Sequence, residues 1–169
     1  MPTPPQRPLD ALGLARSGAV VEREFPVAGF ERLRDRLAEP TGRAQVHMEF
    51  RQAGHWPTAK LAAEADVVLT CQRCLGPMQR TLTSESQLVF ADAGSAELPE
   101  GCEAVGGDPQ ALDLAALVED ELLLALPIIP QHAAGEACAL PSAAKAADDA
   151  TEAGAMRRPF AGLKDLLKH

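Results

Sequence analysis

The chain has 169 residues, 46% of them hydrophobic, and a formal charge of −8 at neutral pH. No run reaches the roughly 20 apolar residues that cross a bilayer, so we expect no membrane-spanning helix and a cytoplasmic protein whose cysteines stay reduced. Residues 61–156 carry three Lys or Arg against sixteen Asp or Glu, and this negative field argues against broad electrostatic binding of nucleic acid in that region.

The N-terminal third predicts a lead-in, a short helix and a strand. Residues 1–20 are rich in proline and show no sustained periodicity, so we expect a flexible lead-in. Apolar residues at helical spacing between Phe30 and Leu37 predict a short helix, which Pro40 ends. Residues 43–51 alternate between apolar and polar side chains, and this pattern is typical of a half-buried strand.

Two further strands and one long helix complete the predicted domain. The strands cover residues 60–71 and 78–91 and are joined by a turn that contains Gly and Pro. Residues 112–126 give the strongest helical pattern, with Asp113 as the N-cap. The second half of this helix is apolar on nearly all sides, which predicts burial against the sheet. The fold class is therefore α+β: an antiparallel β-meander of three to five strands covered by one long acidic and apolar helix.

The C-terminal part of the chain has a different composition. Residues 133–156 are rich in Ala, with Gly, Ser and Asp, which predicts a disordered acidic linker. Residues 157–169 place Phe160 and Leu163 among basic residues, and we expect a short basic amphipathic helix there. The predicted organisation is the lead-in, an α+β domain over residues 21–132, the linker and this helix.

Three segments of the sequence resemble one known family. They are "LTCQRCLGPM", "DLAALVEDELLLALPIIPQH" and the terminal "RPFAGLKDLLK", in this order. With them the chain resembles the YceD family of bacteria, the large ribosomal RNA subunit accumulation proteins. The resemblance implies a factor needed for synthesis, processing or stability of 23S ribosomal RNA. It also implies partners among the large-subunit assembly components, either an rRNA precursor or a basic ribosomal protein, and no small-molecule substrate.

The cysteine turn leaves three interpretations open. Cys71 and Cys74 can supply two thiolates to a structural zinc ion, which then needs two further ligands. His132 and Cys138 are the candidates, in line with the second His/Cys cluster that the resemblance implies, and Cys102 is left over. Alternatively, the two thiols of the turn are packed at the end of a strand. A redox pair is the third interpretation, although such pairs depend on a helix N-terminus and both flanks here predict strands.

Charged residues near these motifs are the candidate partner contacts. Arg73 lies between the two thiols, and its guanidinium has the geometry to bind phosphate. Glu119 and Asp120 are predicted on the solvated face of the long helix, where they can attract a basic ribosomal protein. The remaining candidates are the basic residues of the C-terminal segment: Arg157, Arg158 and Lys164.

Apart from the cysteines, no nucleophile occurs with an acid–base partner at a readable spacing. We therefore predict no catalytic residue, no cofactor other than the zinc ion, and a function in binding. Two alternatives stay open: a thiol- or zinc-dependent enzyme that acts on ribosomal components, and a chaperone for a single basic ribosomal protein.

Overall fold

The computed structural model describes residues 7–91, 98–133, 136 and 138. The helices and strands follow in chain order: α1 (Ala11–Ser17), β1 (Val20–Pro26), a 3-10 turn (Val27–Gly29), α2 (Glu31–Arg34), β2 (Arg43–Ala53), β3 (Trp56–Thr70), β4 (Pro77–Val89), β5 (Glu103–Ala104) and α3 (Leu114–Leu124). The class is α+β, as predicted.

Five strands of the described residues form one sheet in the order β1-β2-β3-β4-β5. The first four strands pair with their sequence neighbours in antiparallel fashion. The two-residue strand β5 pairs in parallel with the end of β4, at Leu88 and Val89. The predicted meander is thus confirmed over β2, β3 and β4, and the structure adds β1, which the sequence pattern did not reveal.

One face of the sheet is buried, and the register explains which one. Ala44, Val46, Met48 and Phe50 of β2 are buried, as their alternation predicted. The antiparallel register pairs Met48 with Leu61 on β3, so buried residues of neighbouring strands lie side by side. Helix α1 packs against β2 and β3, and α3 packs against β3 and β4. The opposite face of the sheet, which we call the open face, carries polar and charged side chains.

The N-terminal region is more ordered than predicted. A flexible lead-in was expected over residues 1–20, but residues 11–17 form α1, with Ala11 and Ala15 buried in the core. Asp10 caps this helix by accepting a hydrogen bond from the amide of Gly13, and Gly18 ends it in the left-handed conformation at φ 63°. The prediction failed because a helix of seven residues, of which only Ala11 and Ala15 are buried, is too short to show a sustained period.

The covering helix is shorter than predicted. It runs over Leu114–Leu124 instead of residues 112–126, and Asp113 caps it through the amide of Ala116, as expected. Its second half is not buried on all sides, because the side chain of Leu124 is 78% exposed. The predicted linker and C-terminal helix lie outside the described residues, apart from residues 133, 136 and 138.

Candidate metal centre

The cysteine motif forms the connection between β3 and β4. Strand β3 ends at Thr70, and a tight turn follows in which the amide of Leu75 donates to the carbonyl of Cys71 at 2.9 Å. The amide of Cys71 donates in turn to the carbonyl of Gly76, also at 2.9 Å. Leu75 has a positive φ of 60°, a conformation that few non-glycine residues adopt. These bonds fix the backbone that carries Cys71 and Cys74.

A second segment, which follows α3, runs beside this turn. The amide of Gln72 donates to the carbonyl of Pro130 at 2.8 Å. The guanidinium of Arg80, on β4, donates to the carbonyl of Gln131 at 2.9 Å. One residue of the turn and one of β4 therefore bind the backbone immediately before His132, and they hold that side chain next to the turn.

The structure brings together all four predicted ligands: Cys71, Cys74, His132 and Cys138. Their ligand atoms lie within 4.8 Å of one another. The Sγ atoms of Cys71 and Cys138 are 3.8 Å apart, and Sγ of Cys74 is 3.5 Å from Nδ1 of His132. Cys71 is fully buried and the other three are half-buried. Cys102, the cysteine that the prediction left over, is not part of this group.

The Cys71–Cys138 and Cys74–His132 distances match two edges of a tetrahedral zinc site. A Zn–S bond of about 2.3 Å at tetrahedral angles separates two sulfur ligands by about 3.7 Å, and a sulfur and a nitrogen ligand by slightly less. Three cysteines and one histidine are also a known donor set of structural zinc sites. The residues therefore fit a structural metal site that is closed by four protein ligands.

The electrostatic environment differs between the thiols of the turn: a backbone hydrogen bond from Gly76 lowers the pKa of Cys74, but burial and hydrogen bonds with Cys138 and Cys71 outweigh it and raise this pKa. Burial raises the pKa of the Cys71 thiol, but hydrogen bonds from the backbone amides of Cys74, His132 and Arg73 outweigh burial and lower this pKa to about 5. The Arg73 guanidinium donates from Nε to Sγ of Cys138 at 3.0 Å. Hydrogen bonds to Cys71 and Cys138 raise the pKa of His132. Thiolates are the form that binds zinc, so the protein stabilises the competent state of Cys71.

Arg73 therefore has a different position from the one expected of a phosphate contact. Its side chain is directed to the thiol of Cys138, and this contact raises the pKa of the guanidinium. Three thiolates and one neutral imidazole around a divalent ion would leave a net charge of −1. A guanidinium beside the sulfur would compensate that charge.

The two acidic residues predicted on the solvated face of the helix have different environments. Glu119 is only 8% exposed, and its Oε1 accepts hydrogen bonds from the amides of Arg32 and Leu33 at 2.6 and 3.0 Å. A surface role for Glu119 is thus wrong, because its carboxylate caps α2 inside the protein. Asp120 is exposed and pairs with the guanidinium of Arg32 at 2.5 Å.

Glu121, on the same helix, is a buried acidic residue that the sequence did not single out. Its carboxylate accepts hydrogen bonds from the hydroxyls of Ser84 and Ser86, at 2.6 and 3.0 Å. The two serines occupy inward positions on β4, and they interrupt its apolar pattern because they bind this carboxylate. The remaining partner candidates, Arg157, Arg158 and Lys164, lie outside the described residues.

The open face of the sheet contains a shallow concavity of about 570 Å³. The acidic residues that line it come from β1, β3 and β4: Glu22, Glu24, Glu64 and Glu85. Arg23 and His47 are the basic residues of the lining. This surface is predominantly acidic and was not identified as a site from the sequence. Among the described helices, none combines the length and the apolar character needed to cross a membrane.

Comparison with known proteins gives one family and a curated relative. The family model described as large ribosomal RNA subunit accumulation protein YceD matches residues 59–167. The chain is 36% identical over 107 residues to the large ribosomal RNA subunit accumulation protein YceD of Haemophilus influenzae. The aligned residues make up 60% of the chain and 61% of that relative. The chain thus matches about three fifths of the length of this relative. No solved structure matches the chain.

Proposed function

Because the chain belongs to the YceD family of large ribosomal RNA subunit accumulation proteins, we propose that it supports accumulation of 23S ribosomal RNA by binding large-subunit assembly components. The observation that carries this proposal is the family match, which includes both halves of the metal centre. The chemistry of the centre agrees with a binding role, since four protein ligands leave no open position for substrate.

The proposed cofactor is one structural zinc ion, held by Cys71, Cys74, His132 and Cys138. Zinc would join the β3–β4 turn to the segment after α3. Along the chain, Cys74 and His132 are 58 positions apart. Because a structural zinc contributes to folding directly, its role would be to fix the shape of this end of the molecule. Arg73 would remain bound to the thiolate of Cys138.

A thiol-dependent enzyme is less well supported. A catalytic cysteine has to reach its substrate, whereas Cys71, the thiol with the lowered pKa, is fully buried. The low pKa has a simpler role in metal binding, where deprotonated sulfur is the ligand.

The acidic open face favours a basic protein as the direct partner. The lining holds four carboxylates against Arg23 and His47. Three of the carboxylates also form ion pairs, Glu24 with Arg43, Glu22 with His47 and Glu85 with Lys60. The excess of acidic over basic residues in the lining disfavours a phosphate backbone and attracts Lys and Arg side chains. We therefore propose contact with a basic ribosomal protein through this face, and accumulation of rRNA as the indirect result. Asp120 remains a candidate for additional contact because it is exposed.

The proposed function is tested in cells that express the chain or a variant in place of the native gene. We expect the ratio of 23S to 16S rRNA to fall when the gene is deleted, and to stay low with Cys71→Ser or Cys138→Ser. Cys102→Ser is the matched control and should restore the ratio, since Cys102 is outside the cluster. An unchanged ratio after deletion would overturn the proposal.

The partner is tested by crosslinking in the same cells. We expect crosslinks to a ribosomal protein, and fewer of them with Glu64→Lys, which places a positive charge within the concavity. Glu31→Lys, an equal change of charge at an exposed position of α2, should have little effect. Crosslinks to RNA alone would contradict a protein partner.

A further inference from the structure

Exposed aliphatic side chains are concentrated in two segments of the described chain, the β3–β4 turn and the stretch from the end of α3 to residue 129. Of the six exposed large hydrophobic residues in the described part of the chain, four lie there. They form what we call the aliphatic patch: Leu75, Leu124, Ile128 and Ile129. Their exposed fractions are 65%, 78%, 99% and 62%. Soluble proteins rarely leave several large apolar residues together in water without a binding partner.

Backbone contacts bring two parts of the patch next to each other, Leu75 and the segment that contains Ile129. Leu75 follows the ligand Cys74, and Ile129 precedes Pro130, whose carbonyl is bound by the amide of Gln72. Leu123 and Leu126 pack against the core, so the intervening Leu124 is directed away from it. The patch is thus an exposed surface supported by fixed backbone.

The part of the chain that could cover this surface starts close to it. Cys138 lies beside the β3–β4 turn, with its Sγ 3.8 Å from that of Cys71. Residues 139–156 then connect it to residues 157–169. A connection of this length spans about 60 Å when fully extended, and a short tether gives its end an effective concentration of about a millimolar. Residues 139–156 are therefore long enough for residues 157–169 to dock on the patch of the same chain.

The C-terminal segment has the chemistry that the patch requires. Phe160, Leu163 and Leu167 recur at spacings of three and four, which predicts an apolar stripe on one side of a helix. The basic residues Arg157 and Arg158 precede this stripe. On the patch side, Asp120 is exposed one helical turn before Leu124; its carboxylate is paired with Arg32 at 2.5 Å and can accept a further basic partner. The family match also continues through the segment to residue 167.

We propose that residues 157–169 dock on the aliphatic patch of the same chain, with Phe160, Leu163 and Leu167 against Leu124, Ile128 and Ile129. Docking covers the exposed leucine and isoleucines and places the basic segment next to the metal centre. This inference is independent of the proposed role in rRNA accumulation, because it rests on the surface and on the chain itself.

Hydrogen exchange of the complete chain, followed by mass spectrometry, tests this docking. In the wild type we expect protected amides in residues 157–169. Ile128→Asp should accelerate exchange of that segment by about tenfold or more, since a docking free energy of 1.4 kcal/mol corresponds to tenfold. Leu163→Asp should accelerate exchange around residues 124–129. Ile128 is 99% exposed, so its replacement leaves the folded core intact, and an unchanged thermal transition verifies this.

Val20→Asp is the matched control, because Val20 is 57% exposed on β1 and outside the patch; it should leave exchange of both segments unchanged. Three results would overturn the proposal. The first is exchange of residues 157–169 at unprotected rates in the wild type. The second is protection that survives Ile128→Asp, and the third is protection that disappears on dilution. The last result would identify a second copy of the chain as the occupant.

Discussion

Glu119 has almost no access to water, and its hydrogen bonds explain how a carboxylate is tolerated there. Oε1 binds two backbone amides at the start of α2, and Oε2 binds the guanidinium of Arg32 at 3.0 and 3.1 Å. A buried charge is stable when it is paired and hydrogen-bonded. Glu119 thereby joins α3 to α2, and its partner Arg32 is 87 positions away along the chain.

Replacement of Glu119 by Gln should destabilise the protein by about 2–3 kcal/mol, since hydrogen bonds to a charged group are lost and a buried donor is introduced. Urea unfolding measures this free energy. Asp120→Asn is the control: the ion pair with Arg32 is exposed, and such pairs contribute about 1 kcal/mol or less. Equal losses in the two variants would contradict the buried role of Glu119.

His47, on the open face, makes stability depend on pH. Hydrogen bonds to Glu22 and then Glu49 raise its pKa above the ordinary value of 6.5. Because the folded state binds this proton more tightly, the contribution to stability is complete below pH 6.5 and is lost as pH rises through the raised pKa. Urea unfolding over this interval should show a decline in stability that is smaller in His47→Gln. An identical decline in both proteins would contradict it.

At the residue scale, the cysteine pattern and the family resemblance predicted the four residues that the structure brings together, but not the buried acids. Cys-x-x-Cys is a local pattern with a known chemistry, so Cys71 and Cys74 could be identified directly. The burial of Glu119 and Glu121 depends on Arg32, Ser84 and Ser86, which are distant in sequence. A charged residue on a helix is usually solvated, and nothing local distinguishes these two.

At the scale of elements, strand β2 was predicted well and β1 was missed, for related reasons. Strand β2 lies inside the sheet and pairs with a strand on each side, and its apolar and polar residues alternate over residues 43–51. Strand β1 is at the edge of the sheet, and only Val21 and Phe25 are buried. The polar residues between them, including Arg23, hide a period of two. An edge strand needs less apolar surface, and its sequence signal is correspondingly weaker.

Gly42 is required where the chain enters β2. It has a φ of 109°, and a Cβ atom at this position would overlap the backbone carbonyl of Asp66. We expect Gly42→Ala to lower the free energy of unfolding by more than about 1 kcal/mol, the usual cost of an incompatible backbone. Gly54→Ala is the control in the β2–β3 turn: its φ of 61° is strained, but nothing lies within 4 Å of an added Cβ. A smaller loss at Gly42 than at Gly54 would contradict the steric role.

At the scale of the whole molecule, the sheet has one buried face, one acidic open face and one end with four potential metal ligands. The helices α1 and α3 cover the buried face, so the open face and the metal end remain for partners. The two are built differently: the open face is a charged surface on regular strands, whereas the metal end consists of turns that need a cross-link. Zinc would supply that cross-link.

The central claim is that Cys71, Cys74, His132 and Cys138 hold one zinc ion, and native mass spectrometry of protein purified without chelators tests it most directly. We predict one zinc per chain in the wild type and in Cys102→Ser, and none in Cys71→Ser or Cys138→Ser. Wild-type protein without zinc, even after incubation with the metal, or a Cys138→Ser variant that retains it with full affinity, would contradict the claim.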